Sequence, residues 1–217
     1  MPTGTPASGV PLGELELDAL REVANIGCGH AATVLSQMIG MRVMVDVPRL
    51  SLERVAEVAR RMAPTGEPLV VLTMRIVGDL TGETTFVLKQ ANAQTLCDLL
   101  LQRPAGSGGL GEPMERSALM EAGNVMASGF LNALSVFLNR CLLPSPPHFA
   151  FGTATDLERQ EAAAAGGSEA PVLVATTSFR FDDPALTAQG LQGMFLFALD
   201  EAARAALFTG LRRPAKP

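Results

Sequence analysis

A long amphipathic pattern covers residues 14–39, where apolar residues recur near the 3.6-residue helical period. We therefore predict one long helix here, ending at Gly40. Gly27 and Gly29 interrupt the pattern at a cost of about 1 kcal/mol each relative to Ala, so both glycines indicate close approach to a neighbouring backbone. The apolar stripe consists of Leu17, Leu20, Val23, Ala24, Ala31, Val34, Leu35 and Met38.

Shorter patterns follow in the first half of the chain. Residues 50–62 are amphipathic and leave two alternatives open, a helix or a turn with a short helix. Residues 90–102 carry apolar positions at helical spacing and predict a second clear helix. Strands are predicted where β-branched and apolar residues run together or alternate, over residues 42–47 (ending at Pro48), 68–77 and 83–89.

The second half repeats this order of elements. Matching residues lie 99, then 103, then 111 positions later, so the second half carries insertions. We place the insertions at 158–170, a predicted exposed loop, and at 182–189. The predicted elements are a helix over 114–139, a Pro-rich crossing with a short apolar segment over 140–151, strands over 171–181 and 193–199, and a helix over 200–211.

One half alone could bury little apolar surface, because each holds roughly 100 residues and a single apolar helical stripe. We therefore predict an α+β fold that is internally duplicated about a pseudo-twofold axis. The strands of both halves join in a largely antiparallel sheet, and the two long helices pack on it. The predicted organisation is a single domain over 13–211, with repeat one at 13–104, repeat two at 112–211, a Gly-rich link at 105–111, and flexible tails at 1–12 and 212–217.

A polar pattern occurs once on each long helix, with the form Asp/Ser-x3-Glu-x2-Asn-x22-Pro. Positions four and seven residues apart share one face of a helix, so each copy predicts a short polar stripe facing solvent. Asn is a poor mid-helix residue, and its presence twice at the same spacing argues against a merely solvated face. The two copies are Asp18, Glu22, Asn25 and Pro48, and Ser117, Glu121, Asn124 and Pro147.

The chemistry of this pattern centres on a carboxylate beside a carboxamide. A carboxamide both donates and accepts hydrogen bonds, so it can orient a water molecule without deprotonating it. That is adequate for phosphoryl transfer, where positioning and charge stabilisation dominate. The Glu could bind a cation on a partner. Asp18 and Ser117 differ in charge, which fits a helix-start or hydrogen-bonding role, and Pro48 and Pro147 would end or shape a strand or loop.

Composition narrows the classes of protein. Hydrophobic residues make up 47% and charged residues 18%, which is typical of a globular chain. The net charge of −5 and the lack of a basic block argue against nucleic-acid binding. No signal peptide or membrane-spanning run is expected. The cysteines Cys28, Cys97 and Cys141 are far apart, which predicts no disulfide framework and fits the cytoplasm, and the first two are predicted core residues.

The duplicated motif, with Asn25-Ile26-Gly27 in the first copy and Gly123-Asn124 in the second, closely resembles that of the CheC/CheX/FliY family of bacterial chemotaxis phosphatases. The resemblance covers about residues 14 to 211. Two intact motifs without an added receiver-binding or switch segment resemble CheC most. This similarity implies hydrolysis of the phosphoaspartate of a CheY-type response regulator in chemotaxis signalling.

The family resemblance also implies a role for each motif residue. The asparagines Asn25 and Asn124 would orient the hydrolytic water, and Glu22 and Glu121 would engage the regulator's conserved lysine. The regulator would supply Mg²⁺, so this chain would hold no cofactor or metal of its own. A second implied partner is the receptor deamidase CheD. We expect a monomer, because the duplication already supplies an internal pseudo-dimer.

Two alternatives to a phosphatase remain. One is a non-catalytic or weakly catalytic adaptor for a response regulator or CheD. The other is a structural part of the flagellar switch, against which we count the lack of a further segment after residue 211. His30, where the family often has Asn, lies about 140° round the helix from Asn25 and is expected to be a packing or partly exposed residue rather than a ligand. The same reading applies to His148, and we expect Cys28 to be a neutral replacement.

Overall fold

Two long helices of equal length begin the two halves of the molecule. The structure is a computed structural model that describes residues 14–46, 49–63, 66–157, 159, 172–188, 190–199 and 201–211. Its helices are α1 (Glu14–Ile39), α2 (Val55–Met62), α3 (Gln90–Leu100), α4 (Pro113–Leu138), α5 (Pro184–Ala188) and α6 (Glu201–Leu211). Its strands are β1 (Val43–Val45), β2 (Arg49–Glu53), β3 (Leu69–Gly78), β4 (Gly82–Lys89), β5 (Leu142–Pro144), β6 (His148–Gly152), β7 (Val172–Phe181) and β8 (Gln192–Leu199). A short helical stretch also covers residues 154–157.

The strands form one antiparallel sheet in which the two halves exchange their edges. The central order is β1-β7-β8-β4-β3-β5. β2 follows β1 along the same side of β7, while β6 lies beside β3 together with β5. The early strands of repeat one therefore pair with the hairpin of repeat two, and the early strands of repeat two pair with the hairpin of repeat one.

The register shows the pseudo-twofold symmetry directly. At the centre, Phe86 pairs with Phe195, so matching positions of β4 and β8 lie 109 apart, two fewer than the 111 that the sequence predicts. At the edges, Arg49 pairs with Thr176 and His148 with Thr73, which matches offsets of 99 and 103. The predicted α+β fold, internally duplicated with a largely antiparallel sheet, is confirmed.

The offsets also locate the inserted segments. The later insertion lies between β7 and β8 and contains α5, as the 182–189 prediction requires. The earlier one, at 158–170, falls outside the described residues except for Arg159, and so do the predicted tails at 1–12 and 212–217.

Apolar side chains cover both faces of the sheet. Alternate residues of a strand point to opposite faces. Thus Leu72 and Phe86 enter the larger core with α1 and α4, whereas Val71 and Val87 enter a smaller core. The smaller core is closed by Val58 of α2 and by residues 154–157. One face of the sheet therefore carries the two long helices, and the other carries α2.

The two long helices touch backbone to backbone at two glycines. A Cβ built at Gly27 would lie 2.7 Å from Phe130 Cα, and one at Gly129 would lie 2.8 Å from the Gly27 carbonyl oxygen. The close approach predicted for Gly27 is thus observed. The same prediction for Gly29 is wrong, because a Cβ there would meet nothing within 4 Å. Gly29 lies on the exposed side of α1.

Both long helices end with a residue in the left-handed conformation and with a serine that binds the strand that follows. Gly40 and Asn139, at matching positions, adopt the left-handed conformation with φ of +71° and +53°, as helix C-terminal residues often do. Next, the Ser36 hydroxyl accepts a hydrogen bond from the Val43 amide at 2.9 Å, and Ser135 accepts one from Leu142 at 3.0 Å. Each serine therefore fixes the strand that follows its helix.

The sequence does not predict three of the short strands, β2, β5 and β6. The sequence predicts a helix, or a turn with a short helix, over residues 50–62, but residues 49–53 form β2 and only 55–62 are helical. The Pro-rich crossing at 140–151 likewise contains β5 and β6. Both corrections have one cause: short edge strands are specified by pairing with a distant strand rather than by local pattern.

Glu83 on β4 offers a test of how burial couples stability to pH. Its Oε1 atom is buried without a hydrogen-bond partner in the described structure, and burial raises the pKa of its carboxyl. The protonated form therefore stabilises the fold fully below the ordinary glutamate pKa, and this stability is lost as pH rises through the raised value. Glu83→Gln stays neutral, so we expect it to melt at the same temperature as the parent near about pH 4 but higher near about pH 7.

Thermal unfolding of both proteins across this pH range measures the difference. Glu57→Gln, at an exposed position on α2, is the matched control and should show no such pH-dependent gain. A constant difference in melting temperature between Glu83→Gln and the parent at all pH values would contradict the proposed cause.

Candidate functional site

The first copy of the motif lies on the outer face of α1. The side chains of Asp18, Glu22 and Asn25 are exposed. The apolar residues between them point the other way and are almost fully buried: Leu20, Val23 and Ala24. The predicted division of α1 into an apolar core face and a polar outer face is observed.

The second copy lies at the matching place on α4. Ser117 and Glu121 are exposed, while Asn124 is half-buried. A Cβ at Gly123 would lie 2.6 Å from the Leu72 Cδ1 atom, so α4 lies close to β3 beside Asn124. A capping box stabilises the N-terminus of α4: the side chains of Glu112 and Glu115 each accept a hydrogen bond from the other residue's backbone amide, and Pro113 lies in the first turn.

Helix geometry fixes each Glu and Asn relative to one another. Three residues along an α-helix correspond to a rise of about 4.5 Å and to neighbouring positions on one face. In the described residues, the side chains of Glu22, Asn25, Glu121 and Asn124 form no hydrogen bond or ion pair. Each pair thus presents a carboxylate and a carboxamide on a helix that is packed against the other long helix.

The supporting motif positions differ between the copies. Asp18 pairs with the Arg21 guanidinium at 2.6 Å within α1. Ser117 lies exposed in the second turn of α4. Pro147 directly precedes β6, in keeping with its predicted role of shaping a strand end, whereas Pro48 lies outside the described residues.

Exposed apolar residues next to the motif were missed from the sequence. Ile26, directly after Asn25, is 47% exposed, and Met114, three residues before Ser117, is 65% exposed. Apolar residues on the polar side of an amphipathic helix were the available signal, since they cost solubility without filling the core. Both residues therefore leave an apolar side chain in contact with solvent near the motif.

The surroundings of the two sites are not identical. The Arg116 guanidinium, beside Ser117, lies 5.7 Å from the Phe149 ring and 5.9 Å from the Phe151 ring, within the range of cation–π attraction. The matching residues of the first repeat are all leucine: Leu17, Leu50 and Leu52. The second site therefore has an arginine beside two aromatic rings at positions where the first repeat has leucines.

The remaining residues singled out in the sequence have structural explanations. His30 and His148 are exposed, and within the described residues no three or more His, Cys, Asp or Glu side chains gather in a way that could hold a metal ion. Cys97 is buried as predicted. Cys28 is only half-buried, which corrects its assignment to the core, because it lies at the border of the buried stripe. Burial raises the pKa of both thiols to about 11, so they are unreactive at neutral pH.

Comparison with known proteins identifies the two motif segments. The CheC-like family model matches residues 15–52 and 114–150, one segment in each repeat. These segments contain all eight motif positions. The expected resemblance to the CheC/CheX/FliY family is therefore confirmed.

Two curated relatives from Bacillus subtilis strain 168 are similar over most of this chain. The CheY-P phosphatase CheC is 34% identical over 62% of this chain and 65% of its own length. The flagellar motor switch phosphatase FliY is 26% identical over 63% of this chain and 35% of its own length. The matched region thus spans less than two thirds of either relative.

The fold also agrees with solved structures. The crystal structure of Thermotoga maritima FliY superposes with a TM-score of 0.75 at 22% identity, covering 92% of this chain and 97% of the other. The FliM middle domain of H. pylori superposes with a TM-score of 0.60 at 9% identity, covering 92% and 99%. At these identities the similarity establishes the shared architecture. Within the described residues, no helix is both long and apolar enough to cross a lipid bilayer.

Proposed function

Because this chain matches the CheC-like family in both of its repeats, we propose that it is a phosphatase for the aspartyl phosphate of a CheY-type response regulator. The Glu22–Asn25 and Glu121–Asn124 pairs form two equivalent catalytic sites. The observation that carries this proposal is the repeated placement of a carboxylate and a carboxamide on the outer faces of two packed helices.

In each site the asparagine is the catalytic residue that touches water. Its carboxamide accepts a hydrogen bond from the water and donates one to a phosphoryl oxygen, so it aligns the water oxygen with phosphorus. The new P–O bond forms as the P–O bond to the regulator's aspartate breaks. The aspartate leaves as a carboxylate, and the protons of the attacking water pass to phosphate and solvent. Positioning replaces a strong base, because an acyl phosphate already has a good leaving group.

The glutamate holds the regulator in place. Glu22 and Glu121 each lie one turn from their asparagine, so a carboxylate bound to the regulator's lysine would bring the phosphoryl group to the carboxamide. Such charge-assisted contacts are geometrically specific as well as favourable. The Mg²⁺ that neutralises the phosphoryl oxygens belongs to the regulator. Docking would also cover Ile26 and Met114, whose exposed side chains flank the two sites.

The direct test follows loss of the phosphoryl group from a phosphorylated CheY-type regulator with Mg²⁺, with and without this protein. We expect the protein to accelerate the loss, and Glu22→Gln/Glu121→Gln to weaken binding of the phosphorylated regulator. No acceleration together with tight binding of the regulator or of CheD would favour the adaptor alternative. No acceleration and no binding would overturn both. We further propose a monomer acting in the cytoplasm, where such regulators reside.

A further inference from the structure

A polar cleft of about 820 Å³ opens on the side of the sheet that faces away from α1 and α4. Its floor comes from β7 and β8, whose residues Thr176, Ser178 and Met194 point to the α2 face. Its walls come from β2, α2, the end of β4 and the start of α3. The volume falls within the range of about 300–1,000 Å³ that is typical of small-molecule sites.

Three cationic side chains converge on this cleft from three different elements. They are Arg49 on β2, Arg61 on α2 and Lys89 at the end of β4. Asp46 is the acidic residue of the lining, and the Arg180 guanidinium already pairs with it at 2.5 Å. The lining residues themselves therefore carry more positive than negative charge, although the whole chain has a net charge of −5 and two of the three cations pair with acids outside the lining.

Two of these cations are anchored from behind by acidic neighbours outside the lining. Glu53 accepts hydrogen bonds from the Arg61 guanidinium, and these bonds lower the pKa of the Glu53 carboxyl. Glu67 pairs with the Lys89 ammonium at 2.7 Å. Arg49 forms no ion pair within the described residues and is exposed. An anion in the cleft would therefore meet the Arg49 guanidinium and two further cations, Arg61 and Lys89, that ion pairs hold in place.

Neutral hydrogen-bonding groups fill the space between the cations. Thr176 and Ser178 offer hydroxyls, and Gln192 and Asn92 offer carboxamides. The Asn92 amide donates to the Gln192 carbonyl oxygen at 3.1 Å, which fixes it and leaves its own oxygen as an acceptor. Among the described residues of the lining, none is an aromatic residue on which a nucleobase could stack. These groups suit a ligand with hydroxyls rather than an aromatic ring.

The matching surface of the other half has different chemistry. His148 stands where the cleft has Arg49, and Glu83 stands where it has Gln192. The cationic cleft is therefore not a by-product of the duplication, unlike the Glu/Asn pairs. The cleft lies on one side of the pseudo-twofold axis only, where β2 of the first repeat pairs with β7 of the second.

We propose that this cleft binds a small polyanion that bears two or more phosphate groups on a hydroxyl-rich scaffold. Arg49 would bind one phosphate through two parallel hydrogen bonds, and the ion-paired Arg61 and Lys89 would each add positive charge beside the others. The Ser, Thr and carboxamide groups would take the scaffold hydroxyls. This inference is independent of the phosphatase proposal, since the cleft shares no residue with the Glu/Asn sites.

Isothermal titration of the full chain with fructose 1,6-bisphosphate, diphosphate, citrate and fructose tests the proposal. We expect the bisphosphate to bind, diphosphate and citrate to bind more weakly, and fructose not to bind. Binding should weaken with added salt, because the contacts are ionic. Arg49→Gln and Lys89→Gln should each weaken bisphosphate binding about tenfold or more. Arg75→Gln is the matched control, because Arg75 occupies on β3 the position that Ser178 holds on β7 and lies outside the lining.

Three results would overturn the proposal. They are no bisphosphate binding, equal weakening by Arg49→Gln and the Arg75→Gln control, or binding of diphosphate as tight as that of the bisphosphate with no effect of either cleft variant. Circular dichroism of each variant checks that it is folded. An Asn25→Ala/Asn124→Ala protein should bind the bisphosphate normally, which separates failure of this site from failure of the phosphatase sites.

Discussion

Replacing both Asn25 and Asn124 with alanine is expected to reduce phosphatase activity about 100-fold or more, because misplacing a reacting water by even 1 Å costs about that much. Each single change should leave about half of the activity if the two sites act independently. The measurement is the rate at which a phosphorylated CheY-type regulator loses its phosphoryl group. Alanine keeps the helices intact, since it is the best helix former, so the loss would report on the carboxamides.

Asn132→Ala is the matched control for this experiment. Asn132 is an exposed asparagine on α4, about one turn beyond Gly129 at the helix crossing and outside the motif. Its loss should leave the rate unchanged. If the double variant hydrolysed the phosphoregulator as fast as the parent, water positioning by the carboxamides would be excluded. Unequal single variants would instead assign different weights to the two sites, for which the Arg116–Phe149 contact beside the second site gives a physical basis.

Gly27→Ala is expected to destabilise the fold by about 1–3 kcal/mol, although alanine normally favours a helix. The added Cβ would lie 2.7 Å from Phe130 Cα and 3.0 Å from the Gly129 carbonyl oxygen. Both are backbone atoms, so no side-chain rotation relieves the contact, and α1 and α4 would have to move apart. Urea unfolding measures the change in free energy.

The neighbouring glycine provides an internal control for this prediction. Gly29→Ala introduces the same methyl group on the same helix, but into open space. It should stabilise the protein by up to about 1 kcal/mol through helix propensity alone. The difference between the two variants isolates the cost of separating the helices. Equal effects at both positions would show that the close approach at Gly27 contributes nothing to stability.

The long helices and the central hairpins were predictable because their signals are local and strong. The pattern over residues 14–39 matches α1, and the strands predicted at 68–77 and 83–89 match β3 and β4 within a residue or two. The two polar stripes were predictable for the same reason, since helical spacing alone places Glu22 beside Asn25. Their predicted roles in catalysis remain predictions.

The edge strands and the cationic cleft were not predictable from local pattern. Residues 49–53 do alternate in polarity, but five residues before a helix can equally be read as part of it. Arg49, Lys89 and Gln192 come together only because β2 of the first repeat crosses to β7 of the second. Sequence spacing carries no information about that exchange, so the cleft was invisible before the topology was known.

The exchange of edges also constrains how the molecule can form during synthesis. Chains emerge from the ribosome N-terminus first, and domains tend to fold as they emerge. Here β1 and β2 are made early, yet their partner β7 is made only after more than half of the chain has followed. β5 and β6, by contrast, find β3 already made. During synthesis, β1 and β2 of the first repeat therefore stay unpaired until β7 has been made. The order of translation thus makes the edge formed by β1, β2 and β7 the last to pair, although the two edges of the sheet are related by symmetry.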